Sequence, residues 1–386
     1  MPRCQNINTR NASNSTATRT SSPEEGGRAC PHRVRENSFV FLAGSDNGSE
    51  PGALRSFSLD EHGVIVELAR ADAQSPIYFA LSRDKRFLYV AQKSEVRTPP
   101  PAMPGAVAAY EITPAGAFRK INEIPCAPST PCHVSISANP PGEYLLFAEY
   151  GNGVAGLLRI REDGSLEGPP GTVTHCGTLG PNTERQERPH CHCIVQAPGG
   201  PVFVCDLGTD EVVAYDLQDS QLRRRGSLAT APGAGPRHIV FDKSGEKAYL
   251  LNELDNTLSV LCGEAVPVCA GTFSTVCADN VVCADFSKAA AVKISPCGNW
   301  VLASNRGHDS IAAFRINGAD LAPPVISKLT GRFPRDFEFS PDGKFVIVGH
   351  KLSDEIASYR FDPESGALTP TGNVFPMVKP LCFTFR

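Results

Sequence analysis

The sequence has no apolar run approaching the roughly 20 residues that a membrane-spanning helix needs, so it announces no membrane partner. It has no basic surplus either. A formal net charge of −4 gives no cationic field for nucleic acid. No segment longer than one turn carries the 3.6-residue apolar period of an amphipathic helix, which argues against a helical fold. There is no G-x-S-x-G, and no serine stands out as a nucleophile, which excludes the commonest covalent hydrolase chemistry. One match to G-x-G-x-x-G, Gly151 to Gly156, joins two strand patterns and opens no helix, so it fails as a dinucleotide site. The 14 cysteines are scattered, mostly on strand patterns, and suit reduced core thiols. His190-Cys191-His192-Cys193 invites a zinc reading, but no second Cys/His pair sits at ligand spacing, so no metal is expected. Residues 1–37 are rich in Ser, Asn and Arg without periodicity and read as a disordered tail. That tail lacks the apolar core of a secretory signal, and the expected location is cytoplasmic.

What is present is a repeat. In Gly235 to Leu254, GPRHIVFDKSGEKAYLLNEL, a proline opens a short β-type run and a polar turn containing glycine follows. A second apolar run then ends in Asn252-Glu253. Two such runs with a glycine turn between them make a β-hairpin. Related units start at 76, 131, 189, 236, about 290 and 334, a spacing of 44 to 58 residues. Strand-built repeats of this length mean a β-propeller. Residues 39–70 look like a blade without its first strand, and Pro380 to Phe385 looks like a first strand without its blade. The fold expected for residues 38–386 is therefore all-β, a seven-bladed propeller closed by its C-terminal strand, which leaves no large open edge.

In such hairpins the start of the first strand and the end of the second share one mouth of the central channel. His133, His190, His192, Arg237 and Arg335 come from strand starts. Glu253, Asn305, Arg306, His350 and Lys351 come from strand ends. Histidine, carboxylate and guanidinium together offer proton transfer and fixed positive charge for an anionic substrate. Plainer readings stand beside these. Arg237 and Glu253 would also serve as an ion pair tying the hairpin, Asn305-Arg306-Gly307 as a turn with a solvated arginine, and His133 as a core histidine. By period-2 spacing, His190 and His192 share one strand face while Cys191 and Cys193 share the other.

The strings PHCHC, DLGTDEV, GAGPRHIVF, NEL, SNRGHDSIAAF and PRDFEFSPDGKFVIV resemble the lactonase family of seven-bladed propellers over about residues 39–386. That family contains propeller-type 6-phosphogluconolactonases and carboxymuconate cyclases. The resemblance implies a catalytic set of His192, Arg237, Glu253 and Arg306, with His190 as the neighbouring alternative to His192. His133, His190, Asn305, Arg335, His350 and Lys351 would line the substrate site. It implies hydrolysis of a small anionic sugar lactone by an activated water, most directly 6-phosphogluconolactone in the pentose phosphate pathway, with no cofactor. His192 or Glu253 would be the base. A lactonising cycloisomerase of carboxymuconate and a non-catalytic interaction scaffold remain as alternatives. Nothing in the pattern sets an oligomeric state.

Overall fold

The computed structural model describes residues 38–45, 52–95, 104–138, 141–263, 266–276 and 286–386. The expected tail, 1–37, and most of the proline-rich insertion at 96–105 lie outside them.

Seven antiparallel sheets follow one another along the chain. Blade two is Tyr78–Leu81, Phe87–Lys93, Gly105–Ile112 and Phe118–Ala127. Blade three is His133–Ala138, Pro141–Glu149, Val154–Ile160 and Leu166–Thr174. Blade four is Cys191–Gln196, Val202–Asp206, Glu211–Gln218 and Gln221–Ala229, and blade five Pro236–Phe241, Lys247–Asn252, Thr257–Cys262 and Val268–Ser274. Blade six is Lys288–Ile294, Trp300–Arg306, Ser310–Asn317 and Val325–Lys328, with the short Asp320–Leu321 beside it. Its first strand starts two residues before the position that the repeat suggested. Blade seven is Pro334–Phe339, Phe345–His350, Glu355–Phe361 and Leu368–Pro376. Blade one takes Pro380–Phe385 as its innermost strand, paired with Phe39–Ser45, and continues through Gly52–Leu59 and Ile65–Ala73. The seven innermost strands touch in succession and the last touches the first, so the ring is closed.

The sequence makes these sheets because the middle strands are apolar on both faces. Phe345–His350 is buried at every position. Seven hydrophobic clusters fill the seven gaps between neighbouring blades. Phe203, Cys205 and Val212 of blade four meet Ile239, Leu250 and Leu261 of blade five in one of them. Outer strands such as Gln221–Ala229 are largely exposed. The hairpin turn of blade seven shows the local logic. The Ser340 hydroxyl donates to Asp342 (2.7 Å) and accepts from the Phe345 N–H (2.9 Å), while Gly343 takes φ 72°, which a side chain would resist.

One feature of the strands was not visible in their pattern. The innermost strands of blades one, four, five, six and seven each slip register near the channel mouth, a β-bulge. In blade four, Cys191 pairs with Asp206 and Cys193 with Cys205, which leaves His192 opposite no residue. Arg237 and Arg335 occupy the same position in blades five and seven. The bulge overturns the expected alternation. Cys191 packs between blades three and four and Cys193 between blades four and five, on opposite sides of the strand.

Candidate active site

Three of the bulges and the ends of two second strands converge on Glu253, which is 2 % exposed. Its Oε2 accepts from Arg237 Nε (2.8 Å) and pairs with Arg306 Nη2 (2.9 Å). Its Oε1 accepts from Arg185 Nη2 (2.6 Å). The two strand-borne arginines are locked. Arg237 Nη1 donates to the Ala290 carbonyl, and Arg306 donates to Lys288 O (3.1 Å) and Ala289 O (2.9 Å). Phe333 lies 5.5 Å from the Arg306 guanidinium. Its backbone is held at φ 62°, uncommon for a bulky residue, by an N–H bond to Asp309 (2.7 Å).

Burial opposes ionisation of Glu253, but Arg306, then Arg237, with Arg185 beside them, outweigh it and hold the carboxyl well below its usual range. It is a fixed carboxylate with both oxygens engaged. Burial, then Arg237, drives His192 well below the ordinary imidazole value, so this ring is neutral at pH 7. Its Nδ1 is buried with no hydrogen-bond partner among the described residues. His238 is depressed by the same two causes, and its Nε2 accepts from Arg237 Nη1 (3.0 Å), which puts its proton on Nδ1. The rings form a continuous line along the channel. His192 lies 5.3 Å from His238, His238 5.4 Å from His133, and His133 4.4 Å from Tyr78, while Tyr150 stacks on His190 at 4.0 Å.

The structure therefore brings His192, Arg237, Glu253 and Arg306 together. Arg335 joins them electrostatically; burial, then Arg237, lowers its pKa, and no hydrogen bond or ion pair holds its guanidinium among the described residues. His133 lines the same channel, with Nδ1 accepting from the Ile194 N–H (3.4 Å) and Nε2 facing the Cys193 thiol (3.5 Å). His190 is committed elsewhere: its ring nitrogens face the Tyr150 carbonyl (2.8 Å) and the Glu187 carboxylate (3.1 Å). Asn305 turns aside to Thr275 and Ser310, and His350 to the Tyr359 hydroxyl (3.0 Å), so both lie within the blade packing and not among the four. Lys351 donates its backbone N–H to Phe333 O (3.1 Å) as Glu253 does to Gly235 O (2.8 Å), so it holds in blade seven the position of Glu253 in blade five.

Sequence reasoning passed over Arg185, Tyr78 and Lys288; His238 and Tyr150 belong to the strand starts and ends at this mouth but were given no role. A signal was there for one of the three: Arg185 sits in the polar ERQERPH segment leading into blade four. Among the described residues, the one cluster with metal-ligand spacing is His175, Cys191 and Asp206. Two of its three ligand groups are already engaged. His175 bonds Asp206 (2.8 Å) and the Tyr215 hydroxyl (2.8 Å), and Asp206 also accepts backbone N–H groups from His190, Gly208 and Thr209.

Two expected results arise here. Lysine at position 306 keeps the charge but cannot reach Glu253 and both carbonyls with one ammonium. Arg306→Lys should lower kcat/KM by about 100-fold; unchanged kinetics would remove Arg306 from the site. The second concerns acid stability. His192, His238 and His350 are all depressed, chiefly by burial, His350 to about 4. A histidine whose folded pKa lies below its unfolded value near 6.5 contributes stability that is lost as pH falls below about 6.5. For His350 the loss accrues down to about pH 4. Urea midpoints should fall between pH 7 and 4.5, and less steeply in His350→Phe; parallel curves for the two proteins would refute the assignment.

The closed ring with a buried His/Arg/Glu group at one mouth defines a class, and the sequence comparison names it. Residues 40–385 match the family described as "Lactonase, 7-bladed beta-propeller", and the chain belongs to that family. The 6-phosphogluconolactonase of Bacillus subtilis is 33% identical over 347 residues, covering 88% of this chain and 95% of the relative. Among solved structures, a protein from Lactobacillus plantarum superposes with TM-score 0.80 at 28% identity, over 90% of this chain and 99% of that one. The periplasmic gluconolactonase of Pseudomonas aeruginosa superposes with TM-score 0.79 at 26% identity, over 90% and 99%.

Proposed function

We propose that the protein opens a sugar lactone carrying an anionic substituent, with 6-phosphogluconolactone as its first substrate and a cytoplasmic place in the pentose phosphate pathway. The observation that carries this reading is the charge balance at Glu253. Arg185, Arg237, Arg306, Arg335 and Lys288 surround this one carboxylate. A surplus of cations at a buried mouth recruits an anion. It also stabilises the oxyanion that forms when water adds to a lactone carbonyl.

Glu253 has both oxygens engaged, which favours His192 as the base. Neutral His192 takes a proton from water as the water oxygen bonds to the carbonyl carbon. Arg237 and Arg306 meet the charge that develops on the carbonyl oxygen. As the tetrahedral intermediate collapses, the bond from carbon to ring oxygen breaks and His192 returns the proton to that oxygen. A depressed pKa makes this return favourable. The name of the Bacillus subtilis relative supports the phosphorylated substrate.

The test is hydrolysis of freshly generated 6-phosphogluconolactone, corrected for spontaneous opening. A rate well above background is expected. A background rate, with turnover of carboxymuconate instead, would replace this reading by the cycloisomerase.

A further inference from the structure

The three guanidinium groups on Glu253 are not equivalent. Arg237 and Arg306 stand on strand ends, with side chains 2 % and 8 % exposed, and both are tied to backbone carbonyls. Arg185 comes from the loop between blades three and four, its side chain is 31 % exposed, and among the described residues it alone holds Oε1. Its other partner is the Tyr150 hydroxyl (3.2 Å). The loop beneath it is anchored: Gln186 is buried, donates to Leu207 O (2.9 Å) and accepts from the Asn182 N–H (3.0 Å). The Arg185 backbone is therefore placed, and its side chain is the part with room to turn.

We propose that Arg185 is a substrate-operated clasp: it masks Oε1 of Glu253 in the empty site and transfers to the anionic substituent of the lactone on binding. This rests on the lactone-opening reading. A phosphate offers the guanidinium a bidentate partner of higher charge than one carboxylate oxygen, so the exchange costs little. Once released, Oε1 accepts a hydrogen bond from the attacking water and orients it toward the carbonyl, while His192 takes the proton. Arg185 thus links recognition of the anion to completion of the site. An uncharged lactone would enter without freeing Oε1 and be turned over less well. Arg185 is then the residue that discriminates between phosphorylated and unphosphorylated lactones.

The experiment compares 6-phosphogluconolactone with gluconolactone on wild type, Arg185→Gln and Arg185→Lys. In Arg185→Gln, kcat/KM for the phosphorylated lactone should fall by about 10- to 100-fold, mostly through KM. For gluconolactone it should rise, because Oε1 is permanently unmasked. Arg185→Lys should recover part of the preference. The acid limb of the gluconolactone profile should also move to higher pH in Arg185→Gln, since Glu253 has lost one of the cations that hold it ionised. Equal losses on both lactones, or no change on either, overturn the clasp and leave the lactonase reading intact. A wild type that hydrolyses neither lactone overturns both.

Discussion

Glu253→Gln is expected to lose about 1,000-fold in kcat/KM on the phosphorylated lactone and to melt at a visibly lower temperature. The substitution keeps the shape and removes one charge. That charge faces Arg237 at 2.8 Å, Arg306 at 2.9 Å and Arg185 at 2.6 Å, so its loss leaves three guanidinium groups repelling one another at a buried mouth. Removing one partner of a buried pair typically costs about 3–5 kcal/mol, because the remaining charge stays desolvated. The two strand-borne arginines should suffer most, being the less exposed. Activity falls for the same reason. Arg237 and Arg306 would no longer be aimed at the developing oxyanion, and the freed Arg185 would grip an anion with nothing to release. Measuring turnover and urea unfolding on the same preparation separates the two effects. A variant within tenfold of wild type in turnover, with a lowered midpoint, would mean that Glu253 only ties its hairpin to Arg237.

The repeat spacing, the blade count and the closure by Pro380–Phe385 were legible because each depends on local signals: a proline, two apolar runs and a glycine turn. The shared mouth was legible because antiparallel pairing leaves no other place for strand starts and ends. Parity within the strand end was not used. Asn252, Asn305 and His350, the last or next-to-last residues of their second strands, reach sideways to Ser259, Ser310 and Tyr359 of the third strand. Glu253 and Arg306 come one residue later and turn back to the channel. The sequence treats both kinds as candidates because both are polar. The bulges were hidden for a different reason. An extra residue in a first strand leaves no composition mark, yet it aims His192 and Arg237 at the channel and splits Cys191 from Cys193. Arg185 lay in a loop, where no periodicity tells which side chain turns inward.

Deleting residues 380–386 should abolish cooperative folding while leaving every residue around Glu253 in the chain. Pro380–Phe385 is the innermost strand of blade one, yet it comes from the far end of the sequence. Leu381, Cys382 and Phe383 are buried, and Phe383 packs with Phe41, Phe57, Phe345 and Ile347 where blades seven and one meet. Arg386 adds a backbone bond to Val40 O (2.8 Å) and a side-chain bond to Thr113 O (2.6 Å), which reaches blade two. Burying three such side chains contributes about 1.5–3 kcal/mol each, and a whole domain is stable by only about 5–15 kcal/mol. The strand also supplies the ladder partner for Phe39–Ser45, whose inner edge would otherwise stand open beside the channel. Its loss would expose that edge and the Phe41 face together, so aggregation on expression is expected. Adding the strand back as a separate peptide should restore a cooperative thermal transition. A truncated protein that already melts cooperatively near the wild-type temperature would show that the other six interfaces suffice and that ring closure is not what holds the blades together.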